Sequence, residues 1–342
     1  MTKQEEFDIL IIGAGCIGSS IFFEMSRSKD LAQNRKIGIF DLGRNTTSAT
    51  SASGGLIRLF HENSKHIQLA HENLMALRSL DSVKNYFKSS GSLYFFKKNR
   101  ESDYLHHFQW FEKNNYPFMI YDKPRLAQEL PQFYIESQEL AVFEPDGGVL
   151  DVKSFYDHLI KQSLVNKNFL FFNDSVLSLS KINHFYFLKT KNKIFKTKKL
   201  ILCTGSQSHA FLTPLGIKMP LVTKELSYFS YEDTSFPNSP HYFDRESLEF
   251  GRPQKEMSFN SSLSPKRIKT IMPIKNVKKI LRKDMYAPHR EGLIGEIPGY
   301  EGLYIATGWG GTAVKFSLSI GKQMTQLLEN KNKTSSSFRG LQ

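Results

Sequence analysis

The stretch Phe7-Asp8-Ile9-Leu10-Ile11-Ile12-Gly13-Ala14-Gly15-Cys16-Ile17-Gly18 decides the fold. Its first six residues are mostly apolar and read as a buried parallel strand. The glycines at 13, 15 and 18 then turn the chain into a helix that extends to about residue 28, and a second strand over 36–40 ends at Asp41. This is a βαβ unit in which each part has a physical job. Gly13 permits the tight turn, Gly15 lets backbone approach a pyrophosphate, and Gly18 lets helix and strand pack closely. The helix N-terminus presents unpaired N–H groups and a positive dipole end to phosphates. Asp41 stands 23 positions after Gly18, where a carboxylate accepts from ribose hydroxyls. A dinucleotide site follows. A glycine turn that only packs leaves Asp41 unexplained.

The 342 residues suit two domains, and 40% hydrophobic against 23% charged residues is enough apolar mass for a sizeable core. No run approaches the roughly 18 apolar residues of a membrane span. The acidic start MTKQEEFDIL does not have the pattern of a secretory signal. The net charge of +13 permits acidic partners, including nucleic acid. The basic residues are scattered, however, without a continuous stripe of interleaved aromatics, which ranks nucleic acid below a small molecule. Two cysteines, Cys16 and Cys203, in apolar contexts fit a reducing cytoplasm rather than a disulfide framework. His61, His66 and His71 recur at five, which is no helical-face spacing, so no metal site is expected.

Further along, a small-residue loop over 46–55 precedes a helical stretch over 66–87. A strand over 91–96, a helix over 101–114 and the turn Glu144-Pro145-Asp146-Gly147-Gly148 lead to a helix over 152–164. Three short strands over 175–179, 184–190 and 193–198 form a meander that feeds a buried strand over 200–203. The region 220–274 is mostly β, with strands over 226–231, 241–243, 257–259 and 270–272. The basic stretch 275–283 is expected to be helical, and the tail 330–342 frayed. Finally an apolar strand over 303–306 runs into Gly308-Trp309-Gly310-Gly311-Thr312 and a helix from about 314. This second glycine turn before a helix is not an obvious need of a nicotinamide enzyme. A flavin enzyme uses it, because the reduced ring carries negative charge that a helix N-terminus stabilises.

These segments resemble the D-amino-acid-oxidase superfamily of FAD-dependent oxidoreductases, and within it the monomeric sarcosine oxidase branch. The likeness runs nearly end to end: the turn with Asp41, the serine-rich loop ending Gly54-Gly55-Leu56-Ile57-Arg58, the FEPDGGVLDV segment, Ile201 to Gly205, and ATGWGGTAVKFS with Lys315. The resemblance implies an α/β, overall α+β, architecture. A Rossmann-like FAD-binding domain over 1–90, 145–215 and 285–342 would carry an inserted, mainly antiparallel β substrate domain over 91–144 and 216–284. Gly13, Gly15, Cys16, Ile17, Gly18, Asp41 and Leu42 would hold the ADP half of FAD. Ser48, Thr50 and Ser51 would lie along the pyrophosphate or flavin edge, and Val176, opening a meander strand, would contact adenine. Gly205, Gly308, Trp309, Gly310, Gly311 and Thr312 would line the ribityl chain and ring. Among the aromatics, Trp309 is the strongest pocket candidate, because the surrounding glycines leave it few packing partners.

Lys315 matches the position that anchors a substrate carboxylate, and Arg58 a basic residue beside the flavin. A second arginine of the branch is replaced by His61. Asp284 stands where the branch often carries a flavin-linking cysteine, so FAD is expected to be non-covalent. The branch's oxygen-activating lysine has Lys255 as its nearest counterpart. The implied activity is hydride transfer from the C–H beside the nitrogen of a small secondary amine or amino acid to flavin N5, with oxygen or another acceptor taking the electrons. Two other readings stand beside it: a tRNA-modifying flavoenzyme of the same superfamily, and a non-catalytic flavoprotein subunit.

Overall fold

The computed structural model describes residues 4–43, 48–61, 65–232, 240–246, 250–252, 256–259, 267 and 275–329. Residues 46–47 of the small-residue loop, Lys255, the strand expected over 270–272 and the tail 330–342 lie outside them. The chain divides into two compact units. The first comprises Met1–Ser53, Val152–Glu225 and Arg282–Gln342, and the second Gly54–Asp151 and Leu226–Leu281. The chain thus leaves the first unit after Ser53, well before residue 90.

The first unit is built on a mainly parallel sheet. Strand β1 (Gln4–Ile12) pairs in parallel with β2 (Ile37–Asp41) on one side and with Ile194–Leu202 on the other. Phe169–Asn173 continues the sheet beyond β2, and Leu303–Thr307 pairs in parallel with the last residues of Ile194–Leu202. The antiparallel pieces are peripheral. Ser178–Ile182 and Phe185–Lys189 form a hairpin on the first half of Ile194–Leu202, and Leu293–Glu296 pairs with Leu303–Thr307. All five parallel strands run the same way, so Ile12, Asp41, Asn173, Leu202 and Thr307 end along one edge. That edge is where open α/β sheets bind ligands.

One face of this sheet carries helices. Helix α1 (Cys16–Arg27) is buried along most of its length and packs against Ser317–Glu329, where a methyl group on Gly321 would sit 2.7 Å from the Ser20 carbonyl oxygen. Val152–Ser163 joins them through Tyr156 Oη and Ser317 Oγ, 2.7 Å apart. Beneath the other face lies a cluster of phenylalanines. Phe40 stacks on Phe172 at 4.7 Å, and Phe195 meets both rings at 4.9 Å.

The second unit holds an antiparallel core of Met119–Tyr121, Glu139–Glu144 and Ser92–Lys97, extended by His241–Asp244, Phe250–Arg252 and Glu256–Phe259. Val222–Glu232 and Lys275–Tyr286 complete that sheet and carry the chain between the units. A small second sheet pairs Leu56–Ile57 and Phe87–Lys88 with Gly148–Leu150.

Several elements differ from the sequence reading. The stretch 275–283 is a strand, Lys275–Tyr286, not a helix. Lys283 is exposed and Asp284 and Met285 are buried, and a lysine-rich run carries too few apolar residues for a period that separates a helix from a strand. The helix expected over 66–87 is Lys65–Arg78, because Phe87–Lys88 is drawn into the small sheet. The strand Phe169–Asn173 takes the edge beyond β2, a place the sequence reading leaves empty, and the meander begins at Ser178.

Candidate functional site

At the carboxyl edge of the parallel sheet lies a cavity of about 280 Å³. Gly13 and Gly15 of the first turn, Asp41 and Leu42 after β2, Ser48, Thr50, Val176 and Gly205 all line it. These expected cofactor residues come from five separate segments and meet at one place. The turn itself depends on its glycines. Gly13 has φ +98°, and a methyl group there would lie 2.5 Å from the Cys203 carbonyl oxygen. A methyl group on Gly18 would lie 1.8 Å from the Gly13 oxygen, so helix and strand could not approach as they do. Gly15 caps α1 without any side-chain hydrogen bond, and the Cys16 N–H donates to Thr50 Oγ1 at 3.0 Å. Asp41 Oδ2 accepts from the Ala14 N–H at 2.6 Å, tying the end of β2 to the turn. Leu42 is 59% exposed at the mouth, an apolar surface suited to a flat base.

One expectation for this region is corrected, and two of the expected residues stand outside the cavity lining. Val176 does not open a strand; it lies in the link between Phe169–Asn173 and Ser178–Ile182. Ser51 does not line the cavity. Its N–H and hydroxyl both meet Ser48 Oγ, at 3.0 and 2.8 Å, in a local turn. Ile17 is buried and is not part of the cavity wall.

The second glycine turn follows Leu303–Thr307 at the same sheet edge, with Ile194–Leu202 between it and β1. It does not enter an α-helix directly. A 3-10 turn, Gly310–Phe316, comes first, and the helix begins at Ser317. Thr312 Oγ1 donates to the Trp309 carbonyl at 2.7 Å. Trp309 is not short of packing partners; it is buried and its ring fills the space over Gly292, where a methyl group would come within 2.2 Å. Lys315 is 6% exposed, so it is not a surface lysine.

Within the second unit, Arg58 is buried against the stacked pair of rings Tyr94 and Phe243, 4.9 Å from each centroid, and its Nη1 donates to the Phe60 carbonyl. His61 is buried with its ring edge-on to His66 at 5.2 Å. Among the described residues no group of three His, Cys, Asp or Glu side chains gathers as a metal site. The residue that the sequence reading missed here is Glu144. It is fully buried and accepts from the N–H groups of Leu59 and Phe60 at 2.7 and 3.0 Å and from Tyr116 Oη at 3.1 Å. Burial pushes its carboxyl upward while those donors and Arg58 oppose the shift. The sequence signal was an acid at the head of the Pro-Asp-Gly-Gly turn, where it resembles any surface turn residue.

The first-unit residues fit the ADP portion of a flavin dinucleotide: a helix start whose N-cap is a glycine with no side chain, a glycine cradle that a Cβ would fill, and a carboxylate at the end of β2. The family model for FAD-dependent oxidoreductases designated DAO matches residues 8–258. The chain belongs to this family. FAD is therefore its cofactor. Among curated proteins, this DAO-family chain is 20% identical to a putative sarcosine oxidase of Caenorhabditis elegans, over 96% of this chain and 95% of that one. Among solved structures, glycine oxidase from Geobacillus kaustophilus aligns with TM-score 0.78 and 15% identity, covering 98% and 97% of the two chains. L-proline dehydrogenase from P. horikoshii aligns with TM-score 0.82 and 16% identity, covering 97% and 96%. At such identities the structural likeness speaks for the fold. No described helix is long and apolar enough to cross a membrane.

Proposed function

We propose that this DAO-family oxidoreductase oxidises the C–N bond of a small secondary amine or amino acid that carries a carboxylate. The observation that carries the reading is that Lys315 is buried, in the 3-10 turn that follows the strand Leu303–Thr307 of the sheet whose carboxyl edge holds the dinucleotide cavity. A buried ammonium beside a cofactor edge is suited to hold an anion. The names of the relatives support the same class, since sarcosine, glycine and L-proline are all small carboxylated amines.

FAD, when bound, supplies the hydride acceptor at its N5. The chain's own part is to bind and orient. A carboxylate on Lys315 fixes one end of the substrate, and such positioning is worth several kcal/mol of the barrier. The amine must be neutral, so that its lone pair forms the C=N bond as hydride leaves the neighbouring carbon. Water then hydrolyses the imine. Asp284 offers no thiol for attachment, so FAD is held non-covalently. Arg58 and His61 remain proposed substrate residues of the second unit, and oxygen or another acceptor takes the electrons.

The purified protein is expected to be yellow, with bands near about 370 and 450 nm. Anaerobic addition of an N-methyl or cyclic imino acid should bleach the longer-wavelength band. Lys315→Met should retain flavin and raise KM for the acid by roughly 100-fold, the loss of one charge-assisted contact of about 2–3 kcal/mol. A colourless protein that cannot be reconstituted with FAD sinks the reading. Bound flavin that no amine reduces points instead to a non-catalytic flavoprotein subunit.

A further inference from the structure

Arg282, Asp284 and Tyr286 occupy alternate positions of the strand Lys275–Tyr286 and so share one face. That face meets the second glycine turn. A methyl group on Gly310 would lie 2.2 Å from the Tyr286 ring. One on Gly311 would lie 2.9 Å from Arg282 Nη2 and 3.4 Å from Asp284 Oδ2. Tyr286 also forms an isolated β-bridge with Trp309. The glycines of this turn therefore admit an ion pair and a ring directly behind the backbone. Arg282 Nη2 and Asp284 Oδ2 are 3.2 Å apart, with side chains only 12% and 1% exposed. Burial pushes the Asp284 carboxyl above its ordinary range, and Arg282 opposes that shift.

A pair so placed is a poor device for stability. Taking two charges out of water costs about as much as their attraction returns, and apolar replacements of similar volume are often neutral or better. Its value lies in the field it projects where water does not screen it. We propose that Arg282 and Asp284 form a fixed charge pair that sets the reduction potential of FAD at the 308–312 turn. The guanidinium favours, and the carboxylate opposes, the negative charge that the flavin gains on reduction. This rests on the proposed reading that the 308–312 turn lines the flavin ring.

The test is a redox titration of the FAD-reconstituted protein and its D284N, R282Q and R282L/D284L variants against a dye of known potential, following the flavin band. FAD retention after gel filtration is scored first. D284N leaves the guanidinium unopposed and should raise the reduced-to-oxidised ratio at fixed poise at least tenfold, about 30 mV for this two-electron couple. R282Q should lower it by a similar factor, and the double variant should lie between the two. A purely packing role moves neither single variant, or both in the same direction, and either result overturns the proposal. Loss of folding in both single variants assigns the pair to stability and also overturns it. If the unaltered protein binds no FAD, the proposed function itself fails and this inference with it. If it binds FAD but the potentials coincide, only this inference fails.

Discussion

Arg267 offers a sharp test of how the second unit is held together. Its Nε donates to Asp244 Oδ2 at 2.9 Å, and its Nη1 and Nη2 donate to Glu139 Oε2 and Oε1 at 2.5 and 2.8 Å. The side chains of Arg267, Glu139 and Asp244 are 7%, 8% and 1% exposed. Arg267→Leu leaves two buried carboxylates without this cation. Breaking a buried pair by removing one partner costs about 3–5 kcal/mol, which at about 2–4 °C per kcal/mol lowers Tm by roughly 6–20 °C. The pH dependence carries a sign. Burial alone would raise the Glu139 carboxyl, but Arg267 and the Glu136 N–H hold it below its ordinary value of 4.5. In the unaltered protein this contribution is complete above that value and is lost as pH falls through the lower folded one. In the variant the uncompensated carboxylates gain by taking up protons, so its deficit shrinks on acidification. Urea unfolding followed by tryptophan fluorescence at pH 8, 6 and 5 measures this. A variant within about 1 kcal/mol of the parent at pH 8, or a deficit that grows towards pH 5, refutes the reasoning. The triple apolar replacement of Arg267, Glu139 and Asp244 should recover most of the loss.

Gly18→Ala, whose methyl group would sit 1.8 Å from the Gly13 oxygen, should abolish FAD retention, whereas Gly299→Ala, away from the cavity and with nothing within 4 Å of the added carbon, should keep the flavin at a cost of about 1 kcal/mol for its left-handed φ; flavin absorbance after gel filtration separates them. His107 is fully buried, and burial, reinforced by His106, depresses its pKa from 6.5 to about 3. The unfolded chain therefore takes up that proton first, and stability falls as pH drops below 6.5. Between pH 8 and pH 5 the unaltered protein should lose about 2 kcal/mol more than His107→Phe, read from paired unfolding curves, and parallel pH profiles would refute it. Burial pushes the Cys203 thiol upward, and both cysteines are buried. A thiol reagent at pH 8 should leave the native protein unlabelled and modify both residues once it is denatured.

What the sequence made legible was local. The strand, the glycine turn, α1, β2 and Asp41 lie within 38 consecutive residues, and each part constrains the next, so periodicity and spacing suffice. The hidden parts are those whose partners are remote. Phe169–Asn173 is a bare apolar run whose role comes from pairing with β2, some 130 residues away. Glu144 sits at the head of a turn, yet its oxygens serve N–H groups 84 and 85 residues earlier. The lysines of 275–283 hid a strand, because a lysine-rich run has too few apolar residues for a period from which to read the backbone. Trp309 shows the deeper reason. The glycines beside it announce that the backbone needs room, but the hole its ring fills is over Gly292, a glycine that no motif singles out. A glycine in a sequence records that something comes close, without recording what. At Gly13 that is a carbonyl, at Gly292 an indole and at Gly311 an ion pair. Only the first belongs to a spacing that a motif encodes, which is why the nucleotide end of the site was readable from residue types and the charged surroundings of the second turn were not.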